Sequence, residues 1–243
     1  MNEDGLGLAC RFSLEPNKLG YCGATDSWSV FLEYLQNRGS AAGVRKKFES
    51  FYALMPYLRL IARENGISDP LDERVVEAYW LGNKLLDSVS EKAIAEMIRT
   101  KLCGKGLLPK SFAEKLAGNV PKGALAHHSF QVLYVHFITG RLPWTLQNAN
   151  RCLPKWGKII STKGSKAVVG TFKVAQKRGK YVMLPAREVV ESSVCGWQTA
   201  ECKKGALVAT HWGLAVKTLN SRECARLQKY TRRTLTALSE NYR

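Results

Sequence analysis

The segment Cys152-Leu153-Pro154-Lys155-Trp156-Gly157-Lys158-Ile159-Ile160 marks the point at which the pattern of the chain changes. Before it, apolar residues recur mostly at helical spacing. After it come short runs rich in β-forming residues, separated by turns that contain glycine and lysine. The segment therefore predicts the first strand of a small β-structure that follows a helical region, and we expect an α+β fold.

Four runs in this second region predict short strands, and their spacing is typical of a small OB-like barrel. They cover residues 158–162, 167–174, 181–184 and 206–211. Asn220 then predicts the start of a last helix, with Glu223 at the capping-box position. We divide the chain accordingly into an α-helical domain over residues 1–150 and a barrel with its C-terminal helix over residues 151–243.

The first 150 residues predict helices after a loop-like stretch over residues 15–23, which contains Pro16 and two glycines. No run of about 18 apolar residues occurs, so we expect no membrane-spanning helix. The chain begins with acidic residues where a signal peptide is basic. Its seven cysteines are scattered and odd in number, which favours reduced thiols and a cytoplasmic location.

Positive charge is concentrated in the second half of the chain. Residues 1–120 have a formal balance of +1, whereas residues 121–243 have 21 Lys and Arg against 5 Asp and Glu, a balance of +16. Such a surface suggests an acidic partner, which is a nucleic acid, an acidic protein face or an anionic metabolite. The alternative is a lysine-rich surface that only keeps the protein in solution.

An OB-like barrel with aromatic residues among its lysines also permits a second hypothesis, that of a protein binding single-stranded nucleic acid. Trp156, Phe172 and Tyr181 are the candidate stacking residues. The basic residues alternate along strands and are not gathered on one recognition helix. We therefore expect any nucleic-acid binding to be non-specific and to fall steeply with salt.

Two segments of the second half carry a family resemblance. The first is residues 152–160, in which a cysteine and a leucine precede Gly157 and Lys158. The second is Val208-Ala209-Thr210-His211-Trp212-Gly213-Leu214-Ala215-Val216. In this order, and followed by a helix, the two segments resemble the HypC/HupF family of [NiFe]-hydrogenase assembly chaperones.

This resemblance implies that Cys152 and His211 hold an iron that carries cyanide and carbonyl ligands. The iron is passed on, together with a HypD-like maturation protein, to the large subunit of a [NiFe]-hydrogenase. The implied role is that of a carrier and chaperone, not that of an enzyme with turnover. A thiolate and an imidazole are suitable iron ligands. The alternative is that Cys152 is a small buried apolar residue and His211 a hydrogen-bonded histidine of the core.

For this carrier role we expect the side chains of Cys152 and His211 to meet at one rim of the barrel, since the cysteine precedes the first strand and the histidine ends the last. Cys152 should be at least partly exposed, because a carrier must take up and release its cargo. A nearby imidazole, together with Lys155 and Lys158, would favour the thiolate form.

Four further residues are weaker metal-ligand candidates, namely His127, His128, Cys22 and Cys10. Adjacent histidines point about 100° apart on a helix, so we expect one to lie in the core and the other to cap the helix. A catalytic metalloprotein that uses both histidines and a cysteine remains an alternative. Residues 17–23, 69–83 and 127–130 also resemble an uncharacterised α-helical family associated with hydrogenase gene clusters, to which no activity is assigned.

Overall fold

The computed structural model describes residues 4–104, 107–136 and 140–240. Helices occupy the described part up to Cys152, and the long strands follow from Lys155 onward. The α+β class predicted from the sequence is therefore confirmed. Among these residues there is no helix that is both long enough and apolar enough to cross a membrane.

The described residues up to Cys152 (the first part) form nine α-helices, together with a 3₁₀ turn over Lys84–Ser88 and a π turn over Gln131–Val135. The helices are α1 (Gly5–Lys18), α2 (Ser27–Leu35), α3 (Ala41–Phe48), α4 (Leu54–Glu64), α5 (Glu73–Trp80), α6 (Glu91–Lys101), α7 (Lys110–Gly118), α8 (His128–Phe130) and α9 (Leu146–Cys152). The loop predicted over residues 15–23 is wrong at its start, because α1 continues through Pro16 to Lys18. The Asp4 side chain accepts a hydrogen bond from the N–H of Gly7 and so caps the start of this helix.

The described residues from Lys155 onward (the second part) form seven strands and a long helix. They are β1 (Lys155–Lys163), β2 (Lys166–Lys177), β3 (Lys180–Glu191), β4 (Ser193–Val194), β5 (Trp197–Gln198), β6 (Leu207–His211), β7 (Leu214–Leu219) and α10 (Ser221–Glu240). Five of the strands form a closed sheet in the order β1-β2-β3-β7-β6, with β6 paired back to β1. Three of the predicted strand runs fall within β1, β2 and β3, and the fourth begins one residue before β6 and ends with it. Strand β7 is not among the predicted strands, and His211 therefore ends the strand before the last of the sheet and not the last one.

The last helix begins as predicted. The N–H of Glu223 donates to the Asn220 side chain at 2.9 Å, and the Glu223 carboxylate accepts from the N–H of Asn220 at 2.8 Å. This reciprocal pair is a capping box. The opposite charges of the two parts also meet along α10, because Arg226 pairs with Glu77 and Arg233 with Asp87. Part of the positive charge of the second half is thus used against acidic side chains of the first.

Among the described residues, a small hydrophobic cluster that includes Ile159 and Val208 lies within the second part, and a larger one runs through both parts. The larger cluster includes Phe12 and Trp80 from the helices and Leu214 and Leu227 from the second part. Phe12 stacks on Trp80 with ring centroids 4.6 Å apart. The change from helices to strands lies between residues 152 and 155, while the division into two separate domains at residue 150 stays a prediction.

Candidate metal centre

Three buried side chains from distant parts of the chain meet between the helices and the barrel. They are His128 at the start of α8, Cys152 at the end of α9 and His211 at the end of β6. One ligand atom of each lies within 4.8 Å of the others. The sequence analysis paired Cys152 with His211 at the rim of the barrel, and the structure brings these two together. It adds His128, which was named from the sequence as a weaker metal-ligand candidate with a structural role as the main expectation.

The two adjacent histidines have different surroundings, as their directions on a helix require. His127 is the N-cap of α8, and its Nδ1 accepts from the N–H of Ser129. Burial lowers the pKa of His127 to about 3. The cap position thus keeps His127 out of the cluster, while His128, one residue later, points into it.

His211 has a carbonyl oxygen in front of each ring nitrogen. Its Nδ1 lies 2.7 Å from the Phe12 oxygen, and its Nε2 lies 2.9 Å from the Cys152 oxygen. Burial lowers the pKa of His211 to about 4, so the ring is neutral at pH 7. A neutral imidazole has one N–H, and a carbonyl oxygen can only accept. One of the two nitrogens therefore directs a lone pair at an oxygen.

Both carbonyl groups are available because of the local helix structure. In α1, the residue four positions after Phe12 is Pro16, which has no N–H to donate to the Phe12 carbonyl. Cys152 is the last residue of α9, where carbonyl groups have no partner within the helix. A proline within one helix and the end of another thus supply the two acceptors that orient His211.

His128 is oriented by a similar pair of contacts. Its Nδ1 lies 2.9 Å from the Tyr79 hydroxyl, and its Nε2 lies 3.1 Å from the Cys152 oxygen. The ring of Trp80 packs against it with centroids 4.2 Å apart. Burial holds the pKa of His128 well below its usual value, with the nearby His211 lowering it further. At pH 7 this imidazole is neutral and able to bind a metal ion.

Two expectations about Cys152 are wrong. Its side chain is not exposed, since the residue is only 5% accessible. The pKa of its thiol is raised, mainly by burial, so the thiolate is disfavoured in the metal-free protein. Lys155 does not offset this effect, because it is itself buried and pairs with Glu188. A metal ion at this position would replace the thiol proton.

The Cys152 thiol and the His128 imidazole are spaced as two ligands of one metal ion would be. Its Sγ lies 3.6 Å from Nε2 of His128. A tetrahedral ion with bonds of about 2.0 Å to nitrogen and 2.3 Å to sulfur separates two such ligand atoms by about 3.5 Å. Two imidazoles and a thiol suit zinc, copper, iron or nickel. The residues present therefore fit a metal ion with three protein ligands.

A cavity of about 580 Å³ adjoins the cluster, and His128, Cys152 and His211 form part of its wall. Cys22, a weaker candidate, lines the same cavity. Burial raises the pKa of the Cys22 thiol to about 11. Cys22 in turn contributes to the raised pKa of the Cys152 thiol. Cys10 is buried in α1 and belongs neither to the described cluster nor to the described wall of the cavity.

Sequence reasoning underrated His128 because its partners come from elsewhere in the chain. The one local signal was the pair itself, in which the first histidine at an N-cap leaves the second pointing inward. Comparison with known proteins gives no assigned site for any of these residues. Neither the curated proteins nor the solved structures include a significant match to this chain. A family model does match over residues 1–243, and the chain therefore belongs to DUF6390, a family of unknown function.

Proposed function

We propose that this protein is a metal-binding carrier in which His128, Cys152 and His211 bind an iron ion as cargo. The observation that carries the proposal is the environment of His211, whose two ring nitrogens both face carbonyl oxygens in a buried, neutral state. A lone pair directed at an oxygen is unfavourable unless an electrophile is bound to that nitrogen. A metal ion that takes up the Nε2 lone pair would displace the Cys152 oxygen from this position and leave Nδ1–H to donate to Phe12, the usual outer contact of a metal-binding histidine.

The number of ligands supports a carrier. Three protein ligands leave at least one coordination position open, as in sites that exchange a ligand or a substrate. Because all three side chains line the cavity, a further ligand of the ion could be supplied from it. A metal ion held in this way remains accessible to small molecules and to transfer.

The cargo and partners follow from the HypC/HupF resemblance of residues 152–160 and 208–216. In that role the iron carries cyanide and carbonyl ligands, and a HypD-like protein and the large subunit of a [NiFe]-hydrogenase are the partners, in the cytoplasm. The strand order β1-β2-β3-β7-β6, with β3 parallel to β7, supports an OB-like barrel. Compared with the two ligands that the resemblance implies, we propose His128 as a third.

The aromatic residues give the nucleic-acid hypothesis little support, because Phe172 is buried and Trp156 and Tyr181 are half-buried. Phe172 is 5% exposed and packs against Trp156, with ring centroids 4.2 Å apart. Tyr181 packs against the same core, and its hydroxyl donates to the Leu133 carbonyl. Stacking on bases needs exposed ring faces. The positive charge of the barrel is left as the support for this alternative.

The test has two stages, with Cys152→Ser, His128→Gln and His211→Gln as variants. Purified protein is first titrated with Co²⁺ under anaerobic conditions, and absorption by the thiolate–cobalt bond is followed. We expect one equivalent to bind to the wild type, at least 100-fold weaker binding in each variant, and no thiolate absorption in Cys152→Ser. Protein purified from its native host without oxygen is then examined by infrared spectroscopy for cyanide and carbonyl bands.

Two buried residues outside the cluster provide matched controls. Cys224→Ser changes another buried thiol, and His127→Gln changes the neighbouring buried histidine. Circular dichroism verifies that every variant is folded. Binding of Co²⁺ that survives Cys152→Ser, or is lost equally in a folded Cys224→Ser protein, would reject the site. A metal without the infrared bands would reject the cyanide and carbonyl cargo and keep the metal centre.

A further inference from the structure

The cavity beside the metal cluster is larger than a metal ion and its small ligands need. Its volume is about 580 Å³. A ligand of the size of water takes up about 30 Å³, so an ion with three such ligands fills on the order of 100–150 Å³. Cavities of several hundred cubic ångströms are typical sites for organic molecules. Most of this space is therefore unexplained by the proposed metal binding.

The wall of the cavity is mainly apolar and aromatic. Phe51, Leu54, Trp80 and Val132 contribute to it, and Tyr52, which is 55% exposed, lies where the cavity meets solvent. Such a wall matches the body of a small organic molecule that contains an aromatic ring or an aliphatic chain. Burial of that body against these side chains would supply the main part of the binding free energy.

The charge on the described wall of the cavity is positive. Arg141 lines the cavity, and no aspartate or glutamate occurs among the described residues that do so. The Arg141 guanidinium donates to the Gly23 carbonyl at 3.0 Å, which places it beside Cys22. One hydrogen bond to a carbonyl leaves further N–H groups of the guanidinium for another acceptor. An anionic group, above all a carboxylate, suits this position.

The loop that carries Cys22 is held in place by its own contacts. The Asn17 side-chain amide donates to the carbonyl groups of both Cys22 and Ala24, at 2.6 and 2.7 Å. Gly23 has a φ of +71°, and a Cβ at this position would lie 2.2 Å from the Phe51 ring. These contacts fix the position of the loop that forms this part of the wall.

From size, wall and charge we propose that the cavity binds a small apolar monocarboxylate, with its carboxylate on Arg141 and its apolar body against Phe51, Leu54 and Val132. This binding goes beyond the proposed metal carriage and does not depend on it. A ligand bound in this way would lie next to the open coordination position of the metal ion.

The experiment uses 4-phenylbutyrate and its uncharged amide, 4-phenylbutanamide, in calorimetric titrations of the metal-free protein. We expect the carboxylate to bind at least tenfold more tightly than the amide. Arg141→Gln should remove this difference, while Arg141→Lys should keep part of it. Arg59→Gln changes an exposed arginine outside the described wall and should have no effect. Ala53→Trp, at a half-buried wall position, should weaken both compounds.

Equal binding of the two compounds, no binding, or a carboxylate preference that survives Arg141→Gln would overturn the proposal. So would a preference that appears only after Co²⁺ is added, because the carboxylate would then bind to the metal ion. The outcome is separate from that of the metal titration. Binding of 4-phenylbutyrate without binding of Co²⁺ would leave this inference standing and reject the proposed function, and the opposite result would do the reverse.

Discussion

The barrel supplies His211 from the end of a strand whose register is fixed by both neighbours, whereas the helical part supplies His128 from a three-residue helix fixed by packing. β6 pairs with β1 and with β7, so the place of His211 follows from hydrogen-bonded ladders. His128 depends on Tyr79, on Trp80 and on the end of α9. The site is thus built in two ways, by strand pairing for His211 and by packing between helices for His128. Only the strands can be predicted from short-range sequence patterns.

The largest expected effect is the response of both parts to acid. Burial lowers the pKa of His127 to about 3 and that of His211 to about 4, and that of His128 is also lowered. The unfolded chain takes up protons on these rings below about pH 6.5, and the folded chain does not until lower pH. The free energy of unfolding therefore falls as pH drops from about 6.5 towards 4, by close to 1.4 kcal/mol per pH unit for each fully buried histidine.

Urea unfolding of the metal-free protein at several pH values measures this loss. If the two parts form one cooperative unit, a single transition should move to lower urea as the pH falls. Stability that is constant between pH 6.5 and 4.5 would contradict the assigned protonation states. Two transitions with different pH dependence would show that the parts unfold separately.

Removal of the aromatic contact between the two parts should have the next largest effect. Phe12 is fully buried, stacks on Trp80 and lies against His211, with ring centroids 5.9 Å apart. Phe12→Ala should lower the free energy of unfolding by about 3–5 kcal/mol, measured by urea denaturation. Phe112→Ala, at a phenylalanine that is 39% exposed, is the control, with an expected change within about 0.5 kcal/mol. Similar losses in both variants would contradict the packing described.

A test of the helical contribution alone is Tyr79→Phe. It removes the hydroxyl next to His128 Nδ1 and keeps the buried ring. The affinity for Co²⁺ should fall about 10- to 100-fold, because outer contacts orient the ligand. The free energy of unfolding should change by about 1 kcal/mol. Tyr57→Phe is a matched control, since the Tyr57 hydroxyl has no hydrogen-bond partner among the described residues. Unchanged affinity of Tyr79→Phe for Co²⁺ would show that the Tyr79 hydroxyl does not orient His128 for metal binding.

The smallest expected change in the free energy of unfolding concerns helix α10. Asn220→Ala breaks the capping box at the start of α10 and should cost about 1 kcal/mol in unfolding free energy. Co²⁺ affinity should stay the same, because α10 does not contribute to the described cluster. A loss of affinity measured by the same titration would show that the site is coupled to this helix.

Most of the fold, but only part of the site, follows from the sequence. The strand runs and the capping box are local patterns, and four of the sheet strands and the start of α10 were predicted from them. The pairing of Cys152 with His211 came from the HypC/HupF resemblance. Their expected meeting rested on His211 ending the last strand, whereas it ends β6, which pairs with β1. The burial of Cys152 did not follow from the sequence, because it depends on how the helices cover the rim. His128 was ranked only as a weaker candidate for the same reason, since no periodicity within the helical part indicates what packs against it.

Pro16 gives this architecture a consequence for protein engineering. A proline within a helix is an obvious target for replacement by alanine, which would add an N–H and a helical hydrogen bond. In this chain that new N–H would compete with His211 for the Phe12 carbonyl. A substitution chosen to increase thermal stability would thus loosen a ligand of the proposed metal centre. At this position helix stability and ligand orientation oppose each other, as stability and activity often do at functional sites.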